Sequence, residues 1–210
     1  MTRITRREAL TGTAAAGLVT MAGFSFWPGQ SAAQDQELTV EDVLFDPANP
    51  VMGNKDGDVT IVEFFDYQCP YCKANHPILK DVVENDGNVR LVMKDWPIFG
   101  APSILAAQLA LGASSLGQYK TASDALMETE GRLSKELIHD TLTLADLDVS
   151  ALEKAYEDSR EKWDGLMARN SRQATLLGLQ GTPAFIIGKT IYPGSMSDEA
   201  LRDAIAKARA

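Results

Sequence analysis

The sequence predicts an α/β fold in which a βαβ unit and a later ββα unit are separated by an all-helical stretch. Three observations predict it. Val59–Phe65 is a run of β-branched and aromatic residues interrupted only by Glu63, followed by apolar positions at helical spacing and by a second, largely apolar run, Val89–Met93. Strand signals are missing from Pro102 to Leu179, where alanine and leucine recur at helical spacing. They return at Ala184–Ile187, just before an amphipathic C-terminal segment.

With 210 residues, 45% of them hydrophobic, the chain can bury one ordinary core, and no shift in composition marks a second. Arg3, Arg6 and Arg7 precede a mildly apolar run ending near Trp27, so residues 1–33 are read as an export signal. Ser31-Ala32-Ala33 places small residues for cleavage near Ala33. Thr5-Arg6-Arg7-Glu8-Ala9-Leu10 is similar to a twin-arginine signal. Ala9 and Thr11 depart from that pattern and leave the general secretory route as the alternative. An uncleaved anchor is the weaker reading, because the run contains glycines and falls short of the ~20 residues of a spanning helix. Removing 1–33 takes away three Arg and one Glu, leaving 17 basic and 28 acidic side chains and a net charge of −11. Such a charge balance argues against nucleic acid and anionic membrane as partners. The expected setting is the periplasm, or more generally outside the cytoplasm.

Residues 34–57 read as a polar, turn-rich N-terminal arm with one short strand near Val43–Phe45, and 58–210 as the folded domain. Pro70 suits the first turn of a helix, and Ile78, Leu79, Val82 and Val83 continue it. Asp86-Gly87-Asn88 supplies a turn, so that Val89–Met93 returns parallel to Val59–Phe65 by the βαβ rule. The helical insertion spans about 102–179 and is punctuated by Gly117, Gly131 and Asp148. Gly188-Lys189 reads as a hairpin turn between Ala184–Ile187 and Thr190–Tyr192, and Ser197 as the cap of a last helix to Ala208. Phe64, Phe65, Trp96, Phe99 and Phe185 are expected in the core. Tyr67 and Tyr71 are expected to be partly exposed beside the chemistry.

That chemistry lies in Cys69-Pro70-Tyr71-Cys72. Two cysteines in an exported chain can form a structural disulfide, hold a metal or act as a redox pair. Placed after a buried strand and at a helix start, a thiolate gains from unpaired N–H groups and the helix dipole. Cys69 is therefore expected as the exposed nucleophile and Cys72 as the resolving thiol, with no cofactor beyond the Cys69–Cys72 disulfide itself. Zinc wants four ligands, and only His76 and His139 stand beside the cysteines; covalent haem wants His where Lys73 stands. Both histidines are read as packed or solvated, and no resident metal is expected.

Glu63-Phe64-Phe65-Asp66-Tyr67-Gln68, Lys94-Asp95-Trp96-Pro97-Ile98-Phe99-Gly100, Leu177-Gly178-Leu179 and Gly181-Thr182-Pro183-Ala184-Phe185 together resemble the disulfide-bond protein A family. This is the DsbA-like branch of thioredoxin-fold proteins, and the likeness covers nearly all of the chain past residue 40. It implies a thioredoxin fold with a helical insertion. It also implies a cis peptide bond at Pro183, with Thr182 offering backbone groups to an extended client, and a kink at Pro77. Glu63 matches the family's buried acid, which exchanges a proton with Cys72 and is raised toward neutrality by burial. A cross-strand ion pair between Glu63 and Lys94 is the competing reading.

Strongly oxidising relatives carry His at the position of Tyr71. Tyrosine cannot supply that charge, which implies a pair less oxidising than DsbA, between roughly −200 and −130 mV. Thr182 is common in isomerase and reductase branches. The main reading is an enzyme that introduces disulfides into exported proteins bearing cysteines and is recycled by a membrane redox partner. The others are a reductase or isomerase kept reduced, and a copper-tolerance module using Cys69, Cys72 and His76. Too few residues separate the cut from the first core strand for a dimerisation domain, so a monomer is expected.

Overall fold

The computed structural model describes residues 38–210; the expected export signal, its expected cleavage site and the first residues of the arm lie outside the described residues. The arm departs from expectation at once. Val40–Leu44 forms a short helix, α1, where a strand was expected near Val43–Phe45. The reason is local: Thr39 and Asp42 cap each other reciprocally, each side chain accepting from the other's backbone N–H. The strand comes later, as β1 (Val51–Gly53), and runs antiparallel along the edge of the sheet.

Next in order are β2 (Val59–Phe65), α2 (Pro70–Asp86) and β3 (Val89–Asp95). α2 ends at Gly87, whose φ of 69° lets its N–H bond back to Val83. β2 and β3 are parallel, with Val59 opposite Val89 and Phe65 opposite Asp95. Five helices form the insertion: α3 (Ala101–Ser115), α4 (Tyr119–Met127), α5 (Lys135–Leu144), α6 (Val149–Asp158) and α7 (Arg160–Leu176). Ser134 and Asp148 cap α5 and α6 by accepting from Leu137 and Ala151. α3 and α6 approach so closely that a side chain at Gly112 would collide with the Leu152 carbonyl. The chain closes with β4 (Ala184–Ile187), β5 (Thr190–Pro193) and α8 (Asp198–Arg209), the last capped by Ser197.

The five-stranded sheet has the order β1-β3-β2-β4-β5, with β2 and β3 its only parallel pair among the described residues. This is a thioredoxin-type α/β sheet carrying an all-helical insertion. Every residue of β2 is buried, because both faces of the sheet are covered. Ile61, Phe65, Leu91, Met93 and Phe185 pack with α2, α8 and α3–α6 on one face. Val62, Phe64, Val92 and Ile186 pack with α1 and the end of α7 on the other. Each such side chain contributes on the order of 1.5–3 kcal/mol by leaving water. Of the aromatic residues expected inside, Phe64, Phe65 and Phe185 are buried and Trp96 packs half-buried at the rim, whereas Phe99 is 45% exposed on the loop after β3.

Candidate active site

The site forms where β2 ends and α2 begins. Asp66 organises the turn between them. Its Oδ1 accepts from the Gln68 N–H at 2.7 Å, and its Oδ2 accepts from the N–H groups of Ile98 and Phe99 at 2.6 and 3.1 Å. Gln68 adds a donor to the Phe99 carbonyl at 3.0 Å and an acceptor for the Leu133 N–H at 3.2 Å. The cysteine loop is thereby tied to the loop after β3 and to the helical insertion. Neither Asp66 nor Gln68 was singled out from the sequence; an Asp two residues before a loop amide is the local signal that was available.

Cys69 is the N-cap of α2, Pro70 its first residue and Cys72 lies in the first turn. Both cysteines are thiols. Cys69 was expected to be exposed, but it keeps only 1% of its accessible surface. The reason is the segment before β4: the Thr182–Pro183 bond is cis, and the Cys69 thiol donates to the Thr182 carbonyl at 3.2 Å. Tyr71, between the cysteines, is 68% exposed, whereas Tyr67 is buried with its ring edge-on to Phe65 at 5.0 Å. Of the two tyrosines, only Tyr71 is therefore on the surface. Asn75, one turn beyond Cys72, holds the loop before α8: it donates to the Met196 carbonyl at 3.0 Å and accepts from the Met196 N–H at 2.7 Å.

The two thiols differ sharply in acidity. The Cys72 thiol beside it, acting against burial and joined by the N–H groups of Cys72 and Tyr71, brings Cys69 down to about 6. Burial pushes Cys72 far up, with the neighbouring Cys69 and Glu63 adding to the effect. Glu63 is fully buried and neither of its oxygens has a hydrogen-bond partner among the described residues. Burial, and then the charge of Cys69, push it up to about 8.

Lys94 does not join this site. Glu63 pairs with Met93 and Lys94 with Phe64, so strand alternation sends the two side chains to opposite faces, and the ion pair of the competing reading does not form. The Lys94 ammonium lies 5.7 Å from the Phe64 ring centroid, is buried without a hydrogen bond among the described residues, and falls to about 8 through burial. His76 is also turned away from the thiols. It is buried against Asp124, Nε2 to Oδ1 at 3.0 Å, in a cluster that Lys80 and Lys120 complete. His139 stands 3.5 Å from Glu153 in the insertion.

A thiol pair split in this way, capping a helix beneath a cis-proline segment, is what a thiol-disulfide oxidoreductase of thioredoxin fold uses to exchange electrons between sulfur atoms. Residues 46–207 match the thioredoxin family, and the chain belongs to it, in the DsbA-like branch. It is 36% identical to a thioredoxin-like oxidoreductase from Silicibacter pomeroyi, covering 82% of this chain and 98% of that one with a TM-score of 0.78. It is 30% identical to the thiol-disulfide exchange protein alpha-DsbA2 from Wolbachia pipientis, covering 80% and 90% with a TM-score of 0.75. A stretch of 171 residues is 28% identical to the Na(+)/H(+) antiporter NhaA 1 of Salinispora arenicola. That match takes in 79% of this chain but spans only 26% of the antiporter.

Proposed function

We propose that this protein is a protein-disulfide oxidoreductase that donates the Cys69–Cys72 disulfide to exported proteins outside the cytoplasm. The observation that carries this reading is the split between an acidic Cys69 and a proton-retaining Cys72. A client thiolate attacks the Cys69 sulfur, the Cys69–Cys72 bond breaks, and Cys72 departs with the electron pair and takes a proton from Glu63. A second client thiolate then attacks the client sulfur of the mixed disulfide and expels Cys69 as a thiolate. The client is oxidised by two electrons and the Cys69–Cys72 pair is reduced by two. An acidic leaving thiol favours that last step, so stabilising the Cys69 thiolate favours donation. Thr182 and Pro183 flank the sulfur on the side where an extended client would lie, and exposed Tyr71 meets it first.

The location outside the cytoplasm is supported by the export-signal reading of residues 1–33, and a membrane redox partner would return the pair to its disulfide. The protein is proposed to act as a monomer, which light scattering after size exclusion checks. The deciding measurement is the reduction potential against glutathione, with Cys69→Ser as the control. A value above about −200 mV supports disulfide donation, and one near −270 mV assigns the reverse electron flow.

A further inference from the structure

A further buried carboxyl, besides Glu63 and Asp66, lies beneath the cysteine loop. Asp95 ends β3 and pairs with Phe65, which places it on the same face as Glu63 and Met93. Its Oδ2 accepts from the Tyr119 hydroxyl at 3.0 Å, and the Tyr67 hydroxyl donates in turn to Tyr119 at 3.4 Å. Its Oδ1 is buried with no partner among the described residues, and its backbone carbonyl accepts from the Asn170 side chain at 3.1 Å. Three elements thus meet here: the loop two residues before Cys69 through Tyr67, the start of α4 through Tyr119, and α7 through Asn170.

The titratable groups facing Asp95 are Asp66, Tyr67 and Tyr119, and Glu63 shares its face of the sheet. No cation pairs with Asp95 among the described residues. A carboxyl buried without a cation is costly, and an apolar side chain would fill the place more cheaply. What the carboxyl adds is an acceptor at the end of a hydroxyl chain that starts beside the reactive cysteine.

We propose that Asp95 is a positioning residue of the dithiol, clamping the loop that delivers Cys69 onto the helical insertion through Tyr119 and Tyr67. This rests on Cys69 being the reactive thiol. The Tyr67 ring packs edge-on against Phe65, and its hydroxyl is the group that links the loop to Tyr119. An ionised acceptor strengthens both hydroxyl bonds in the chain. Burial pushes Asp95 up to about 7, so the clamp is tight above neutral pH and relaxes as pH falls through that value.

The test combines amide hydrogen exchange at Gln68 and Cys69 with the pH profile of Cys69 alkylation in a Cys72→Ser background. Asp95→Leu and Tyr119→Phe are expected to speed exchange at those two amides by about tenfold or more while leaving β2 and β3 unchanged. Asp95→Asn still accepts from Tyr119 but never carries the charge. It is expected to hold the loop at the parent's low-pH level of protection at every pH, short of the loss in Asp95→Leu, and to lose the inflection near pH 7 from the alkylation profile. Unchanged loop protection in both Asp95→Leu and Tyr119→Phe overturns the proposal, however reactive Cys69 is. Loss of protection together with a Cys69 that resists alkylation below about pH 8 upholds the clamp and overturns the reading of Cys69 instead. Tyr119→Phe removes a single oxygen and keeps the packing, so the outcome does not depend on how well Asp95→Leu folds.

Discussion

Glu63 and Lys94 stand one residue out of register on adjacent parallel strands and project from opposite faces of the sheet. Each is buried and without a hydrogen bond among the described residues. They are two separate buried ionisable groups, and their substitutions should act independently. In a denaturant-melt cycle, Glu63→Gln and Lys94→Met are expected to add to within about 0.5 kcal/mol. A coupling above about 1 kcal/mol would show that the two interact through the sheet.

Between pH 4.5 and 8, Glu63 makes stability fall as pH rises. Burial raises it from 4.5 to about 8 in the folded state, so the folded protein holds a proton that the unfolded chain releases. Its contribution is complete below pH 4.5, declines above that, and is lost as pH passes 8. Glu63→Gln should therefore be more stable than the parent at pH 8, by on the order of 2–4 kcal/mol, with a much smaller difference at pH 4. Urea melts at the two pH values check it, and an equal difference at both would refute the buried-acid assignment.

Tyr71 occupies the exposed position between the cysteines, where its ring contributes no positive charge to the thiolate. Tyr71→His should draw the alkylation inflection of Cys69 below its present value of about 6 and raise the reduction potential. One unit of acidity corresponds to about 1.4 kcal/mol, or roughly 30 mV for this two-electron couple. A potential that stays the same would mean that the backbone N–H groups and Cys72 already saturate the stabilisation of the thiolate.

Asn75 satisfies both backbone groups of Met196 from inside α2. Asn75→Ala would leave a buried N–H and a buried carbonyl without partners, at a cost of about 2–3 kcal/mol. The same variant should expose the Met196 amide to exchange well before global unfolding. Retained protection at Met196 would show that the loop before α8 is held by its apolar packing instead.

Local pattern accounts for much of the fold. β2 and β4 are legible because a strand buried on both faces is written as a mostly apolar run without polar alternation, bounded here by turn residues and in β2 carrying Glu63 as its one charged residue. The caps at Asp148 and Ser197 are legible because a short polar side chain accepts from an N–H three residues on, a contact contained in the local sequence. The same kind of signal at Thr39 and Asp42 marks α1 and outweighs the apolar triplet that suggested a strand.

The sequence by itself determined the βαβ and ββα units and the helical stretch between them from Val59 onward, the helix start that carries Cys69 and Cys72, and the placement of Glu63 within a buried strand, all of which follow from neighbours within a few residues. Only the tertiary structure decided that Cys69 is covered by Thr182, 113 residues away, and that Asn75 grips Met196, 121 residues away. It also decided that Lys94 turns its back on Glu63, that Tyr67 is buried and that Phe99 is exposed. Burial and partner choice at these positions depend on which distant segments arrive, and hence on strand register and on the packing of the helical insertion. Neither is encoded in the residues next to them.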